Sequence, residues 1–251
     1  MILNGKTAVV YGAGGALGGT LARAFVQAGA EVHLAGRDLG KLAAEIGAAG
    51  AAEVDALDPR SVEAHAEALG AFDISANAIG VPHLQGRPLL ELSPEEYSVP
   101  IAAYTRSTFV TATAAARRMR PGGVILTLSA TASGVPAAPT GGFGTACAAV
   151  EHLSRQLAAE LRPSGVRLVC LRANGISESA YAGSHAKEIW TEFARRAGVP
   201  LQEFLNQPGE TLLGENLTLT EFADVALFLV SDQARAMTAT VVNVSRGQVI
   251  G

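Results

Sequence analysis

Apolar residues along this chain follow two rhythms. Short runs at 7–11, 31–35, 52–55, 72–76, 124–128, 166–171 and 240–244 are rich in apolar and β-branched side chains and predict seven strands. Between them apolar residues return every three or four positions, as in Leu17, Leu21, Phe25 and Ala28, or Ala146, Val150, Leu153, Leu157 and Leu161, which predicts helices. Strand and helix in alternation argue for parallel strands joined by crossover helices, hence a doubly wound α/β sheet flanked by helices on both faces. Asp38, the pair Asp58-Pro59, and Ser93-Pro94 with Glu95 and Glu96 mark helix starts. Gly29, Gly47, Gly70 and Gly165 stand where left-handed caps end helices. Pro100 is expected to divide its stretch into a short helix and a longer one. No linker, repeat or shift in composition interrupts the chain, so residues 1–251 read as one domain.

Composition supports a well-filled core, with 49% hydrophobic and 17% charged residues. The net charge of −4, without a run of Lys or Arg longer than a pair, gives no footprint for nucleic acid, so a small-molecule ligand is expected. Residues 1–10 lack the apolar stretch of a signal peptide or membrane span, and a cytoplasmic protein without membrane attachment is expected. Cys147 and Cys170 have neither zinc-ligand nor CxxC spacing; they read as buried small residues, and no metal site is expected.

The first predicted strand, ending at Tyr11, runs into Gly12-Ala13-Gly14-Gly15-Ala16-Leu17-Gly18 and then a helix. Glycines at such a junction let a pyrophosphate approach the backbone at the positive end of a helix. A GxGxxG reading fails at Leu17, and a phosphate-loop reading from Gly14 fails at Thr20, where a lysine belongs. The segment instead resembles the TGxxxGxG turn of the short-chain dehydrogenase/reductase family, with Tyr11 for threonine and Ala16 for the middle glycine. Asp73 to Gly80, with Asn77 and Ala78, is similar to the family's DILVNNAG segment, which lies beside the cofactor's ribose. Asp55 and Ala56 resemble its acidic segment at the adenine. The order of these segments spans nearly the whole chain, and the resemblance implies a Rossmann-type fold that binds NADP(H) or NAD(H) through Gly12, Gly14, Gly15, Leu17, Gly18, Arg37, Asp55, Ala56, Asn77, Ala78, Gly80 and Ile176. An arginine after the second strand suits a 2′-phosphate and an acid suits a free ribose hydroxyl. Here Gly36 ends the strand and Arg37 follows, so NADP(H) is favoured and NAD(H) stays open, with Asp38 serving as a helix cap.

The family's redox chemistry rests on a YxxxK pair, a serine thirteen residues before the tyrosine, and an asparagine on the preceding long helix. Aligned on 141–151, this chain has Phe143 for the tyrosine, Cys147 for the lysine, Ala130 for the serine and Tyr104 for the asparagine. Proton donation of the kind the tyrosine performs is worth about 10²–10⁴ in rate, and phenylalanine offers none. A thiol with a reference pKa near ~8.5 does not supply the lysine's charge, and an alanine methyl cannot orient a carbonyl. Tyr104 is left as the candidate for a displaced acid or as a space-filling residue. Cys147 lacks a base on its helical face, since His152 lies off it. His83 either overhangs the cofactor or stands in solvent, and Ser129 and Thr131 are expected to point away from the Ala130 side.

Residues 176–218 fall where the family has its substrate-binding segment, and Tyr181, His185, Trp190 and Phe193 either line a pocket or pack on the domain. The resemblance also implies a homodimer or homotetramer paired through the helices carrying Tyr104 and Cys147, where 111–116 and 146–149 are runs of small residues. Three functions remain open: an oxidoreductase on a small carbonyl or alcohol by a non-standard proton route, a non-catalytic cofactor-binding partner or sensor, and a non-redox isomerase or lyase.

Overall fold

Seven strands, β1 (Thr7–Tyr11), β2 (Glu31–Gly36), β3 (Gly50–Glu53), β4 (Phe72–Asn77), β5 (Met119–Ala130), β6 (Arg167–Ala173) and β7 (Thr240–Val244), form one parallel sheet in the order β3-β2-β1-β4-β5-β6-β7. The computed structural model describes residues 1–250 apart from 38, 136–138, 184 and 208–210. The central strands are buried because helices cover both faces, which explains why they read as apolar runs rather than alternating ones. On one face α1 (Ala16–Gln27) and α8 (Leu219–Val230) pack Leu21, Phe25 and Phe222 onto Val10, Leu34 and Ile74. Full burial of each such side chain contributes about 1.5–3 kcal/mol. On the other face α3 (Pro59–Leu69), α4 (Pro94–Ala116) and α5 (Phe143–Glu160) cover Val9, Tyr11, Phe72 and Ile125. Of the other helices, α6 (Ala186–Ala197) and α7 (Leu201–Asn206) lie in the 176–218 segment, and α2 (Gly40–Ile46) follows β2.

The chain reverses its direction of winding between β1 and β4, whose residues Tyr11 and Asn77 pair. This switch point opens a crevice at the carboxyl ends of the strands, the usual ligand position in such sheets. Gly12 (φ +78°) brings the turn so close to β4 that a Cβ there would lie 2.6 Å from the Ala78 carbonyl oxygen. A Cβ on Gly18 would collide with the Gly12 carbonyl.

Four expectations are corrected. α4 runs through Pro100 as one helix, because a Ser93–Glu96 capping box fixes its first turn and the proline, whose φ is already helical, is buried in the fold. β3 begins and ends two residues earlier than 52–55, since Gly50–Glu53 pairs with His33–Gly36 and Asp55 turns out of the sheet. β5 starts at Met119 rather than 124, where Met119 pairs with Phe72 before a register shift. Gly70 follows α3 with positive φ but ψ −136°, outside the left-handed helical region, and Gly165 ends a 3-10 turn, Arg162–Ser164, rather than α5 itself. The cap expected at Asp38 lies outside the described residues.

Candidate functional site

The glycine turn brings the predicted nucleotide residues to the switch point. Gly15 precedes α1, its N–H bonded to the Gly12 carbonyl at 3.1 Å, while Leu17 packs partly into the core. A Cβ on Gly15 would meet nothing closer than 3.5 Å, so this glycine leaves its backbone approachable. Arg37 is exposed beside the turn, its carbonyl oxygen 3.1 Å from where a Gly14 Cβ would stand. Among the described residues its guanidinium has no hydrogen bond or ion pair.

Beyond β3, the Asp55 carboxylate accepts from the Leu57 N–H at 2.9 Å, and Arg106 of α4 donates from Nε to the Leu57 carbonyl at 2.6 Å. Ala56 is buried beneath them. Asn77 is also buried; its Nδ2 donates to Thr111 Oγ1 at 2.9 Å and its Oδ1 accepts from the Ile79 N–H at 3.0 Å, which shapes the strand exit. Ala78 donates its N–H to the Tyr11 carbonyl at 2.9 Å. Ile176 faces the core, and its carbonyl accepts from the Ser179 N–H and hydroxyl, so only its backbone lies near the crevice. Tyr11, at the threonine position, buries its hydroxyl without a partner, edge-on to His65 at 5.9 Å. Burial pushes that phenol's pKa up, with Glu63 adding to the effect.

The chemical end is built on α5, where Phe143, Cys147 and Glu151 succeed one another at four-residue spacing along the inward face. Burial pushes the Cys147 thiol up to about 12, against hydrogen bonds from the Ala130 backbone and the Ser129 hydroxyl, so it carries no charge at neutral pH. Tyr104 does reach this place from α4. Its ring meets Phe143 at 5.6 Å and His83 at 5.7 Å, both edge-on. Burial raises its pKa despite a hydrogen bond from the Val81 backbone. The phenol is thus a poor proton donor at neutral pH, enclosed by two rings.

His83 is half-buried at the edge of a cleft and packed among other rings. It stacks on Phe143 at 5.0 Å, with Nδ1 2.7 Å from the Val81 carbonyl and Nε2 2.8 Å from Gln85 Nε2. These partners define a neutral ring that donates from Nδ1 and accepts at Nε2. Desolvation lowers its pKa, opposed by the Val81 hydrogen bond and reinforced by His185. His185 adds a fourth ring, 5.6 Å from His83. The cluster of His83, Tyr104, Phe143 and His185 comes from four separated segments, and the sequence offered each of the four near the site by itself without bringing the rings together.

Beside it lies a second arrangement that sequence reasoning missed. Arg172 of β6 grips the Glu151 carboxylate with two bonds of 2.8 and 2.7 Å, and Ser129 and Ser133 donate hydroxyls to the same carboxylate at 2.7 and 2.5 Å. Ser129 therefore points to α5, the helix that also carries Phe143 and Cys147. Burial alone would raise the Glu151 pKa; the bonds from Arg172, Ser133 and Ser129 overcome it and hold the carboxyl below its ordinary value. Both serine hydroxyls and the Nε and Nη2 of Arg172 thus direct their hydrogen bonds to the one Glu151 carboxylate.

A cleft of about 550 Å³ borders the ring cluster, lined by His83, His185, Leu84, Val99, Glu188 and Ile189 among others. Tyr181 is exposed and donates to Gln202 at 2.8 Å, while Phe193 packs against Trp190 and Phe204. Among the described residues no three His, Cys, Asp or Glu side chains could hold a metal, and no helix is long and apolar enough to cross a membrane.

Sheet order, glycine turn and crevice define a doubly wound protein of the nucleotide-binding kind. The family described as enoyl-(acyl carrier protein) reductase matches residues 12–248, and the chain belongs to the short-chain dehydrogenase/reductase family of oxidoreductases. Among its relatives, an oxidoreductase, asL5, of Sarocladium schorii is 30% identical over 98% of this chain and 96% of its own. Sorbitol dehydrogenase of Cereibacter sphaeroides is 29% identical over 98% of both chains. Among solved structures, BdcA in complex with NADPH superposes with a TM-score of 0.81 at 22% identity, covering 100% of this chain and 98% of the other. The enoyl-(acyl-carrier-protein) reductase of Anaplasma phagocytophilum in complex with NAD gives 0.83 at 24% identity, covering 100% and 95%. At these identities the two structures speak for the fold.

The residues present fit a nicotinamide dinucleotide unevenly. Around the first half of the crevice, Gly14 and Gly15 present bare backbone at the start of α1 and Arg37 presents an unpaired cation. Around the second half, ring atoms of His185 and Trp190 rest on Gly80 and Gly175, 2.5 and 2.7 Å from where their Cβ atoms would be.

Proposed function

We propose that this chain is an NADP(H)-binding member of its family that has lost the proton-donating half of the reaction and works as a cofactor-binding partner or sensor in the cytoplasm. The observation that carries this reading is the ring cluster. The positions of acid, lysine and serine hold Phe143, Cys147 and Ala130, and His83 covers Phe143 in place of an approaching carbonyl. A bound nicotinamide supplies or accepts a hydride; this chain's contribution is to hold the nucleotide. Gly14, Gly15 and the first turn of α1 receive the pyrophosphate, Arg37 receives the 2′-phosphate, and Asp55 stands at the adenine. Gly36 places no carboxylate against that phosphate, which favours NADPH over NADH. Residues 176–218 act as the segment over the small-molecule pocket, and the chain pairs with its own copy, as the exposed Phe109 on α4 among small neighbours supports.

Calorimetry with NADPH and NADH at one salt concentration tests the assignment. NADPH binds more tightly, and Arg37→Ala removes most of the difference; equal affinities in the native protein would refute the 2′-phosphate site. A second reading, an oxidoreductase on a small carbonyl or alcohol, draws on the Tyr104 hydroxyl, which stands in the same pocket. It predicts measurable diketone reduction that Tyr104→Phe abolishes.

A further inference from the structure

The switch point divides the crevice. In a doubly wound sheet the β1-β2-β3 half holds one mononucleotide and the half beginning at β4 holds the other. Gly80 follows β4 and Gly175 follows β6, so both lie in the second half, on either side of the β5 end that carries Ala130. One helix covers both. His185, at the start of α6, sets Cε1 against Gly80, and Trp190, one turn further on, lays its six-membered ring on Gly175. These rings touch backbone, with no side chain between them, so no second ring fits in the gap. A planar ligand entering there must displace them by about one van der Waals thickness, ~3.5 Å. α6 is seated at a third point, where the Glu192 Cγ stands 2.7 Å from a Cβ position on Gly86. The same helix is anchored outward by Trp190, Phe193 and Phe204, three rings with centroids 6.2 to 6.5 Å apart. The α6–α7 pair is therefore one packed piece, tied to the Ser177–Tyr181 turn by the Trp190 Nε1 bond to Ser179 Oγ at 3.4 Å.

We propose that α6 is a latch which a dinucleotide must lift: the first half of the crevice takes the adenosine phosphate without disturbing the fold, and the second half admits its partner only as His185 and Trp190 leave Gly80 and Gly175. Occupancy of the crevice is then reported at the surface as a displacement of α6. This rests on the reading that the crevice binds a nicotinamide dinucleotide, and it gives a chain without hydride chemistry a way to signal that binding.

Trp190 is the only tryptophan in the sequence, so its emission reports on the latch directly. Adenosine 2′,5′-bisphosphate, the first-half probe, binds by calorimetry and leaves the emission maximum where it is. NADP+ binds and shifts the maximum to the red as the indole leaves Gly175. His185→Ala, which keeps Trp190 as reporter, tightens NADP+ about tenfold and leaves the bisphosphate unchanged; circular dichroism of the variant confirms the fold. Binding of both probes with an unmoved emission maximum and an unaltered NADP+ affinity in His185→Ala overturns the latch alone. Failure of both probes to bind overturns the cofactor reading and the latch with it.

Discussion

Single residues decide what this site can do. Phe143 and Cys147 remove an acid and a cation from α5, and the space they leave is filled by Tyr104 from α4 and His83 from the β4 exit. If the missing groups alone silence the chemistry, Ala130→Ser, Phe143→Tyr, Cys147→Lys and Tyr104→Asn together raise NADPH-dependent diketone reduction well above the native level. Each change alone does little, because groups that act as one unit are strongly non-additive. A folded, NADPH-binding fourfold variant that stays inert shows that the rings of His83 and His185 block the pocket as well. The histidines also set a pH response. Burial lowers the pKa of His65, His83 and His185. As pH falls through about 6.5 the unfolded chain takes up protons first, so stability present above that value is lost below it until the folded values are reached. The urea midpoint drops between pH 7.5 and 5.5; an unchanged midpoint contradicts the burial of these rings.

At the scale of elements, α5 and β6 are locked by the Glu151–Arg172 pair. Arg172→Met strands a buried carboxylate and destabilises by about 3–5 kcal/mol, whereas adding Glu151→Gln recovers much of that loss. Equal destabilisation by the single and double variants in denaturant melts would mean that packing, not charge, holds the joint. Legibility in the sequence follows the same divide. Strands such as β1 and β7 were readable to the residue, because apolar runs between turn signals need no distant partner. Helix starts at Ser93 and Asp58 were readable because caps are local chemistry. The course of α4 through Pro100 was not, since it depends on packing with α5: a Cβ on Gly142 would run into the Tyr97 carbonyl and lie 3.1 Å from the Pro100 Cγ. The vacated catalytic positions could be read by spacing alone. Tyr104 could be read as filling that space, but the packing of His83 on it could not, because His83 and His185 meet across about a hundred residues of chain.

At the scale of the whole molecule, the proposed pairing of copies has a surface to test. The runs 111–116 and 146–149 expected at a pairing face are largely buried within the protomer, where they pack on the sheet and on each other; the outer faces of α4 and α5 instead present Phe109, 52% exposed, together with Ala102, Thr145 and Ala148. Small residues around one exposed ring suit close approach of a two-fold copy. Light scattering gives a dimer or tetramer across the micromolar range, and Phe109→Glu shifts it to monomer; a native monomer refutes the pairing.

The turn after β1 has a consequence for how this lineage would age. Gly12 and Gly18 keep their place because two stretches of backbone meet there, whereas a Cβ on Gly15 would make only an ordinary contact with the Gly12 carbonyl at 3.5 Å. A descendant that stopped binding nucleotide would go on inheriting Gly12 and Gly18, under selection for folding alone, while position 15 drifted. Gly18→Ala accordingly costs about 1–3 kcal/mol of stability with or without ligand. Gly15→Ala leaves the melt unchanged and weakens NADPH binding. The glycine whose side-chain position is uncrowded is therefore the better witness to nucleotide binding.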